Sequence, residues 1–304
     1  MKKTFVSGGT GFIGSNLAKE LLDRGCDVTI TGTKTEQAVK GAKFLQVHLD
    51  GIEWRKVLGQ DVVFHQAANN DTLDQDKEEM WKANVYASKE LFFTANRGGC
   101  QKFVYASSTA VYGDAEPPYN EDKTMPNPLN VYGESKLRLD ELAEVFYGQQ
   151  KPETVVGLRY CNVYGPGEEH KGKRASMVGQ LIQRMMKGLR PKIFRDGEQK
   201  RDWIFVKDVV RANLLASEYK GFGVFNCGYG EAVTFNEIVK IINKALKRKL
   251  QPIYIDCPFA DRYQNFTQCD MTKAKEKLGF VPQYDIEHGI YSYIEYLRKK
   301  RSSE

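Results

Sequence analysis

Residues 4–25 read TFVSGGTGFIGSNLAKELLDRG, and their reading decides the fold. A short β-rich run, Thr4–Ser7, breaks into glycines. An amphipathic run then begins, with Ile13, Leu17, Leu21 and Leu22 at helical spacing. Gly25 stands where a helix ends in the left-handed region. Gly8, Gly11 and Gly14 form GxxGxxG between strand and helix. Glycine lets the backbone turn sharply and approach an anion closely, and the helix start offers free N–H groups and a positive dipole end. A plain tight turn is the alternative reading. In this strand–turn–helix context the motif implies a dinucleotide site built from Gly8, Gly11, Phe12, Ile13 and Gly14.

Further strands are expected at Val28–Thr31, Phe44–Val47, Val62–Phe64, Phe103–Ala106 and Val155–Leu158. Helices are expected over about Glu78–Asn96 and Tyr132–Tyr147. Strands alternating with helices imply an α/β fold, a Rossmann-type doubly wound parallel sheet. After Tyr160 the rhythm changes. Gly165-Pro166-Gly167 reads as a turn. Helices follow at about Ala175–Lys187, Lys207–Glu218, Phe235–Leu246 and Ile286–Leu297, with a strand at Trp203–Val206. The expected organisation is a dinucleotide-binding domain over 1–165, also receiving about 203–228. A smaller, discontinuous, mixed α/β substrate domain spans 166–304, with a cleft between the two.

Bulk properties narrow the class. The 304 residues carry a formal net charge of +6, a mild excess that suits solubility or attraction of an anionic small molecule. The basic runs 247–249 and 298–301 fall at the ends of helical patterns, where they favour the helix dipole. No basic tract is interleaved with aromatics, so nucleic acid is not an expected partner. The six cysteines form no CxxC pair and have no metal spacing with histidine, which reads as reduced thiols and no metal. The N-terminal stretch lacks the apolar core of a signal peptide. No apolar run nears the ~20 residues that span a bilayer. The expectation is a cytoplasmic protein that does not use a membrane.

Particular residues carry the chemistry. The second strand ends Thr31-Gly32-Thr33-Lys34, without the carboxylate that hydrogen-bonds a ribose 2′-hydroxyl. Thr33 and Lys34 would suit a 2′-phosphate, so NADP is expected, with NAD as the alternative. Lys34 is otherwise a solvated surface lysine. Asp50, beside Leu49, is a candidate to cap the adenine. Tyr132 and Lys136 form YxxxK at a helix start, pointing from nearly one face. An ammonium beside a phenol lowers its pKa and lets it trade protons with a substrate hydroxyl. Ser108, after the fifth strand, can hold the substrate oxygen. His48, His65 and His288 receive no role, and His65 is expected to be backbone-bonded.

GGTGFIG (8–14), YASSTAVYG (105–113), YxxxK (132–136) and RYCNVYGP (159–166) together resemble the extended short-chain dehydrogenase/reductases that modify nucleotide sugars, the NAD-dependent epimerase/dehydratase family. The resemblance covers essentially the whole chain. It implies a catalytic triad of Ser108, Tyr132 and Lys136. It also implies a tightly bound cofactor lined by Ala67, Ala68, Asn84, Tyr160 and Val163, a substrate-facing Asn162 and a homo-oligomer.

Within that family, EEHKGKRAS (168–176), RYQNFTQCDMTK (262–273) and PLNVYGESK (128–136) are similar to segments of the ADP-glyceromanno-heptose 6-epimerases. This similarity implies an isomerase of an ADP-heptose. Hydride would pass from carbon 6 to NADP and return to the opposite face of a ketone, with Lys171 as a second acid/base. Lys173, Arg174 and the run Ala67-Ala68-Asn69-Asn70 depart from that pattern. The alternative is a UDP-hexose 4-epimerase, in which Lys171 would be dispensable. His170, Ser176 and Tyr263 fall with these segments on the expected substrate side. Arg201 and Arg262 are candidates for the diphosphate, or structural ion-pair partners. Phe194 packs either on the nucleobase or in the core.

Overall fold

The computed structural model describes residues 2–303 except 34, 36, 37, 48–57, 73, 75 and 258–263. The chain runs β1 (Lys3–Ser7), α1 (Phe12–Asp23), β2 (Asp27–Gly32), β3 (Lys43–Gln46), β4 (Val62–His65), α2 (Lys77–Trp81), α3 (Ala87–Arg97), β5 (Lys102–Ser108), α4 (Val131–Gln150) and β6 (Thr154–Tyr160). It continues with β7 (Asn162–Tyr164), α5 (Met177–Met186), β8 (Lys192–Phe194), β9 (Lys200–Phe205), α6 (Val206–Ala216), β10 (Gly221–Cys227), β11 (Ala232–Thr234), α7 (Phe235–Leu246), β12 (Ile253–Ile255), β13 (Phe266–Thr267), α8 (Thr272–Leu278) and α9 (Ile286–Ser303).

Seven strands form one parallel sheet in the order β10-β6-β5-β4-β1-β2-β3. Strand order reverses between β1 and β4, the switch point at which such sheets open a ligand crevice. Both faces are covered. Phe5, Val63, Phe103 and Val155 point to one layer, packed with Leu91, Phe92 and Phe146. Their neighbours Val6, Phe64, Val104 and Val156 point to the other, with Leu17, Ala18 and Leu21. Successive residues alternating between two buried layers is the period of a strand covered on both sides.

A smaller sheet, β11-β9-β13 with β7 on β9, lies beyond β6. A separate apolar cluster, including Val178, Leu181, Ile182, Phe235, Ile238, Ile242, Ile290 and Ile294, joins α5, α7 and α9 behind it. Thr234 and Glu237 start α7 with a reciprocal capping box. β10 adds to the edge of the large sheet beside β6, in parallel register from Gly221–Thr154 to Cys227–Tyr160.

The helix expected over Glu78–Asn96 is interrupted. Lys82–Tyr86 is a π turn between α2 and α3. An extra residue of this kind re-aims a side chain, and here that side chain is Asn84. Among the described residues, no helix is long and apolar enough to cross a membrane. The six cysteines are free thiols. The side chains of Cys161, Asp202 and Cys269 converge in the interior, which their spacing in sequence did not reveal. The Asp202 carboxylate accepts the backbone N–H groups of Tyr229, Gly230 and Cys269 at 2.7, 3.0 and 3.1 Å.

Candidate active site

A cleft of about 950 Å³ opens at the switch point, along the C-terminal ends of β1, β2 and β4. Gly8, Gly11, Phe12, Ile13 and Gly14 form its floor. Gly8 has φ +68, and a Cβ there would stand 2.8 Å from the backbone of Ala67. A Cβ on Gly14 would meet the Gly8 carbonyl at 2.2 Å. The loop therefore packs backbone on backbone. Gly11 caps α1 with no side-chain bond to the helix N–H groups, leaving the positive end facing the cleft. Such a cradle fits the pyrophosphate of a dinucleotide.

Thr31, Gly32 and Thr33 continue the lining. A Cβ on Gly32 would sit 1.9 Å from Thr10 Oγ1, so Thr10 fills the space an acidic side chain at the strand end would need. Ala67 and Ala68 also line the cleft. Lys34, Leu49 and Asp50 lie outside the described residues, as do Arg262 and Tyr263.

Behind the cleft, polar bonds fix its rim. Asn84 is buried, accepts from Asn69 N–H at 2.7 Å, and donates to Asn69 O and Ser135 Oγ, each at 2.9 Å. It thus ties the loop after β4 to α4. Tyr160 donates to Gln66 Oε1 at 2.9 Å and accepts from Asn213 Nδ2 at 2.8 Å. Its hydroxyl is used inside the protein, and Gln66 is the member of that group that reaches the cleft. Val163 packs against the core of the large sheet.

His65 is not backbone-bonded as expected. Its ring lies between Ser7 Oγ and Ser88 Oγ, each at 2.6 Å. Ser88 donates to Asn84 O, so His65 Nε2 carries the proton and Nδ1 accepts from Ser7. Burial, helped by the nearby Lys136 charge, pulls the imidazole down to about 3.

The expected triad assembles where α4 begins. Asn130 caps the helix by accepting Gly133 N–H at 2.8 Å. A Cβ on Gly133 would be 2.7 Å from Ala110 O, so only glycine lets α4 approach the 3₁₀ turn Thr109–Tyr112 after β5. That approach brings the Tyr132 phenol and the Ser108 hydroxyl close together. Ser108 Oγ also accepts Ala110 N–H at 3.1 Å. Lys136 is 2 % exposed and donates to Ala106 O at 2.8 Å, with its Nζ 5.8 Å from the Tyr132 ring centre. Burial raises the Tyr132 phenol above its ordinary value, and the nearby Ser108 hydroxyl opposes this. The lowered phenol expected from the YxxxK spacing is therefore not what burial leaves.

The stretch Glu168–Ser176 supplies the cleft's other wall. His170, Lys171 and Arg174 line it. Lys171 Nζ is 5.7 Å from the centre of the Phe12 ring. Burial lowers the Lys171 ammonium, and Glu168 opposes that. Arg174 reaches Asp71 at 3.3 Å across the mouth. Ser176 serves locally: its Oγ caps α5 through Gly179 N–H at 2.9 Å and bonds Glu168 at 2.9 Å. Glu168, fully buried, also accepts Gly165 N–H at 3.1 Å and Ser176 N–H at 2.6 Å.

Of the remaining expected substrate contacts, Asn162 and Arg201 lie on the second sheet and Phe194 on a separate two-stranded one. Asn162 donates to Asp202 O at 2.9 Å. Arg201 donates to the carbonyls of Lys200 and Gln264, which holds the segment before β13. Phe194 is half-buried on β8, beside β12. His288 is exposed and pairs with Asp285.

Comparison with known proteins agrees with this geometry. Residues 4–228 match the model of the NAD dependent epimerase/dehydratase family. The chain is 34% identical to ADP-L-glycero-D-manno-heptose-6-epimerase of Brachyspira hyodysenteriae, over 97% of each sequence. UDP-glucose 4-epimerase of Thermotoga maritima, solved with UDP-glucose, superposes with a TM-score of 0.91 at 31% identity, covering 98% of this chain and 99% of that one. The corresponding figures for ADP-L-glycero-D-manno-heptose-6-epimerase of Helicobacter pylori are 0.88, 33%, 98% and 96%. The chain belongs to the NAD-dependent epimerase/dehydratase family. Within it, the protein is a nucleotide-sugar epimerase, an isomerase that works with a nicotinamide dinucleotide.

Proposed function

We propose that this protein is an ADP-L-glycero-D-manno-heptose 6-epimerase that retains NADP through its cycle. The observation that carries the reading is Lys171, from a segment similar to that of the heptose enzymes, on the wall of the same cleft as the glycine cradle. Full-length similarity to two proteins of that name supports it. NADP is favoured over NAD because Thr10 fills the space of a side chain at position 32, which keeps a carboxylate away from a 2′-phosphate. We assign residues 1–165, with about 203–228, to the dinucleotide and the remainder of 166–304 to the sugar nucleotide.

Gly8, Gly11, Phe12, Ile13, Gly14 and Thr33 would hold the cofactor, which supplies a hydride acceptor and donor. The chain's own residues manage protons and position. Tyr132 takes the proton from the sugar hydroxyl, and Ser108 orients that oxygen. Lys136 keeps a positive charge beneath the phenol and so favours the phenolate. Once the ketone has turned over, Lys171 handles the proton for the opposite face. Since the substrate ends at its starting oxidation level, no external NADPH is consumed.

The test is incubation with ADP-D-glycero-D-manno-heptose without added cofactor, read by mass spectrometry and NMR. The expected product has the same mass and an inverted carbon 6. Lys171→Ala should lose about 100-fold or more in rate, the usual effect of removing a positioned acid/base. No conversion, even with NADP or NAD added, would sink the heptose assignment.

A second reading, UDP-hexose 4-epimerase, is favoured by the superposition on the Thermotoga maritima enzyme. Full activity of Lys171→Ala on UDP-glucose would decide for it.

A further inference from the structure

Lys136 is buried with a backbone carbonyl as its hydrogen-bond acceptor, a costly place for an ammonium without a counter-charge. The groups around it come from four elements. On α4 itself, Tyr132 stands one turn before and Asp140 one turn after. On β4, His65 is neutral in its serine clamp. On β5, Ala106 offers its carbonyl, and Tyr105 and Ser107 come near Asp140. On β6, Arg159 binds Asp140, Nε to Oδ2 at 3.0 Å, with both side chains under a tenth exposed. Arg159 continues to the Tyr112 hydroxyl at 2.9 Å, and Tyr112 to Asn226 Oδ1 at 2.8 Å.

We propose that Asp140, held by Arg159, is a positioning residue that keeps Lys136 charged beneath Tyr132. Going inward from the phenol, the charges alternate: ammonium, carboxylate, guanidinium. Asp140 is the negative member, and it lies one helical turn from Lys136. Arg159 in turn makes the buried carboxylate tolerable. Burial lowers Lys136, Asp140 opposes the fall, and the net position is about 8. Burial raises Asp140, and Arg159 opposes that rise without cancelling it. A purely structural ion pair would leave Lys136 indifferent to it. The catalytic consequence rests on the role given above to Tyr132 and Lys136; the charge coupling does not.

The experiment uses the full chain carrying ¹³C-labelled lysine, with the Lys136 signal assigned by its loss in Lys136→Met. Its NMR titration midpoint is read in wild type and in Asp140→Asn/Arg159→Gln, which removes both charges together so that no lone charge is left buried. The midpoint should fall by about one pH unit or more in the double variant. An unchanged midpoint in the folded double variant overturns the proposal. Should that variant not fold, Asp140→Glu, which keeps the charge, should hold the midpoint within about half a unit. A drop of about a full unit there also overturns it.

With ADP-heptose as substrate, the rise of kcat with pH should move to higher pH in the double variant while KM changes little. A moved lysine midpoint with an unmoved kcat profile upholds the coupling and overturns the catalytic reading of Lys136.

Discussion

The Gly8–Gly14 wall of the cleft is held by backbone against backbone, whereas the Glu168–Ser176 wall is held by carboxylates, Glu168 buried within it and Glu169 bound to Gly167 N–H, Tyr293 and Lys300. In the first, Gly8 touches Ala67 and Gly14 touches Gly8, so the conformation is fixed by the absence of side chains. In the second, Glu168 gathers Gly165 N–H, Ser176 N–H and Ser176 Oγ, and the turn bearing Lys171 hangs between them. A wall of the first kind is closed to substitution and moves little. A wall of the second kind can vary in sequence along its length, provided its carboxylate anchors persist. That suits a division in which one wall serves a constant cofactor and the other a particular sugar.

The contrast can be broken most sharply at Gly14. Gly14→Ala places a methyl against the Gly8 carbonyl, so the loop must shift and cofactor affinity should drop by roughly 100-fold, as for an ångström-scale misplacement. Cofactor content of the purified protein and calorimetric titration measure it. Undiminished affinity would mean the cradle is more pliable than its contacts imply.

Glu168→Gln sharpens the other side. An amide offers one fewer acceptor, so a buried N–H of Gly165 or Ser176 loses its partner, at a cost of about 1–3 kcal/mol. Thermal unfolding reads the loss, and faster proteolysis at Lys171–Arg174 reads the loosened turn. Stability and cleavage like wild type would show that Glu169 and its partners hold the turn without the Glu168 charge.

Arg174→Ala gives the smallest effect. Its side chain is 69% exposed, and its bond to Asp71 should contribute no more than about 0.5 kcal/mol. A larger change in unfolding midpoint would make this pair a third support of the cleft rather than a surface contact.

The two walls differed in legibility for the same reason. The glycine cradle was readable because strand, turn and helix follow each other within a few residues, and each residue type acts on its own backbone. Tyr132 and Lys136 were readable because four residues make one helical turn. Glu168 was not singled out, since its role appears only when the loop folds back to Gly165 and Ser176. Ser176 looked like a substrate contact and serves as a cap. Tyr160 looked like a cleft residue, and its hydroxyl goes to Gln66 and Asn213. The π turn that aims Asn84 left no mark on the apolar pattern of its helix.

By itself, the sequence determined the alternating α/β order, the strand–glycine turn–helix start of α1 and the one-turn spacing of Tyr132 and Lys136, all of which arise from local geometry and periodicity. Tertiary structure decided the rest: Thr10 filling the space beside Gly32, His65 locked between two serines, and Asp140 meeting Arg159 behind Lys136. These depend on which strands lie side by side and in what register. Burial then sets the charge of every group so enclosed, and no local pattern encodes burial.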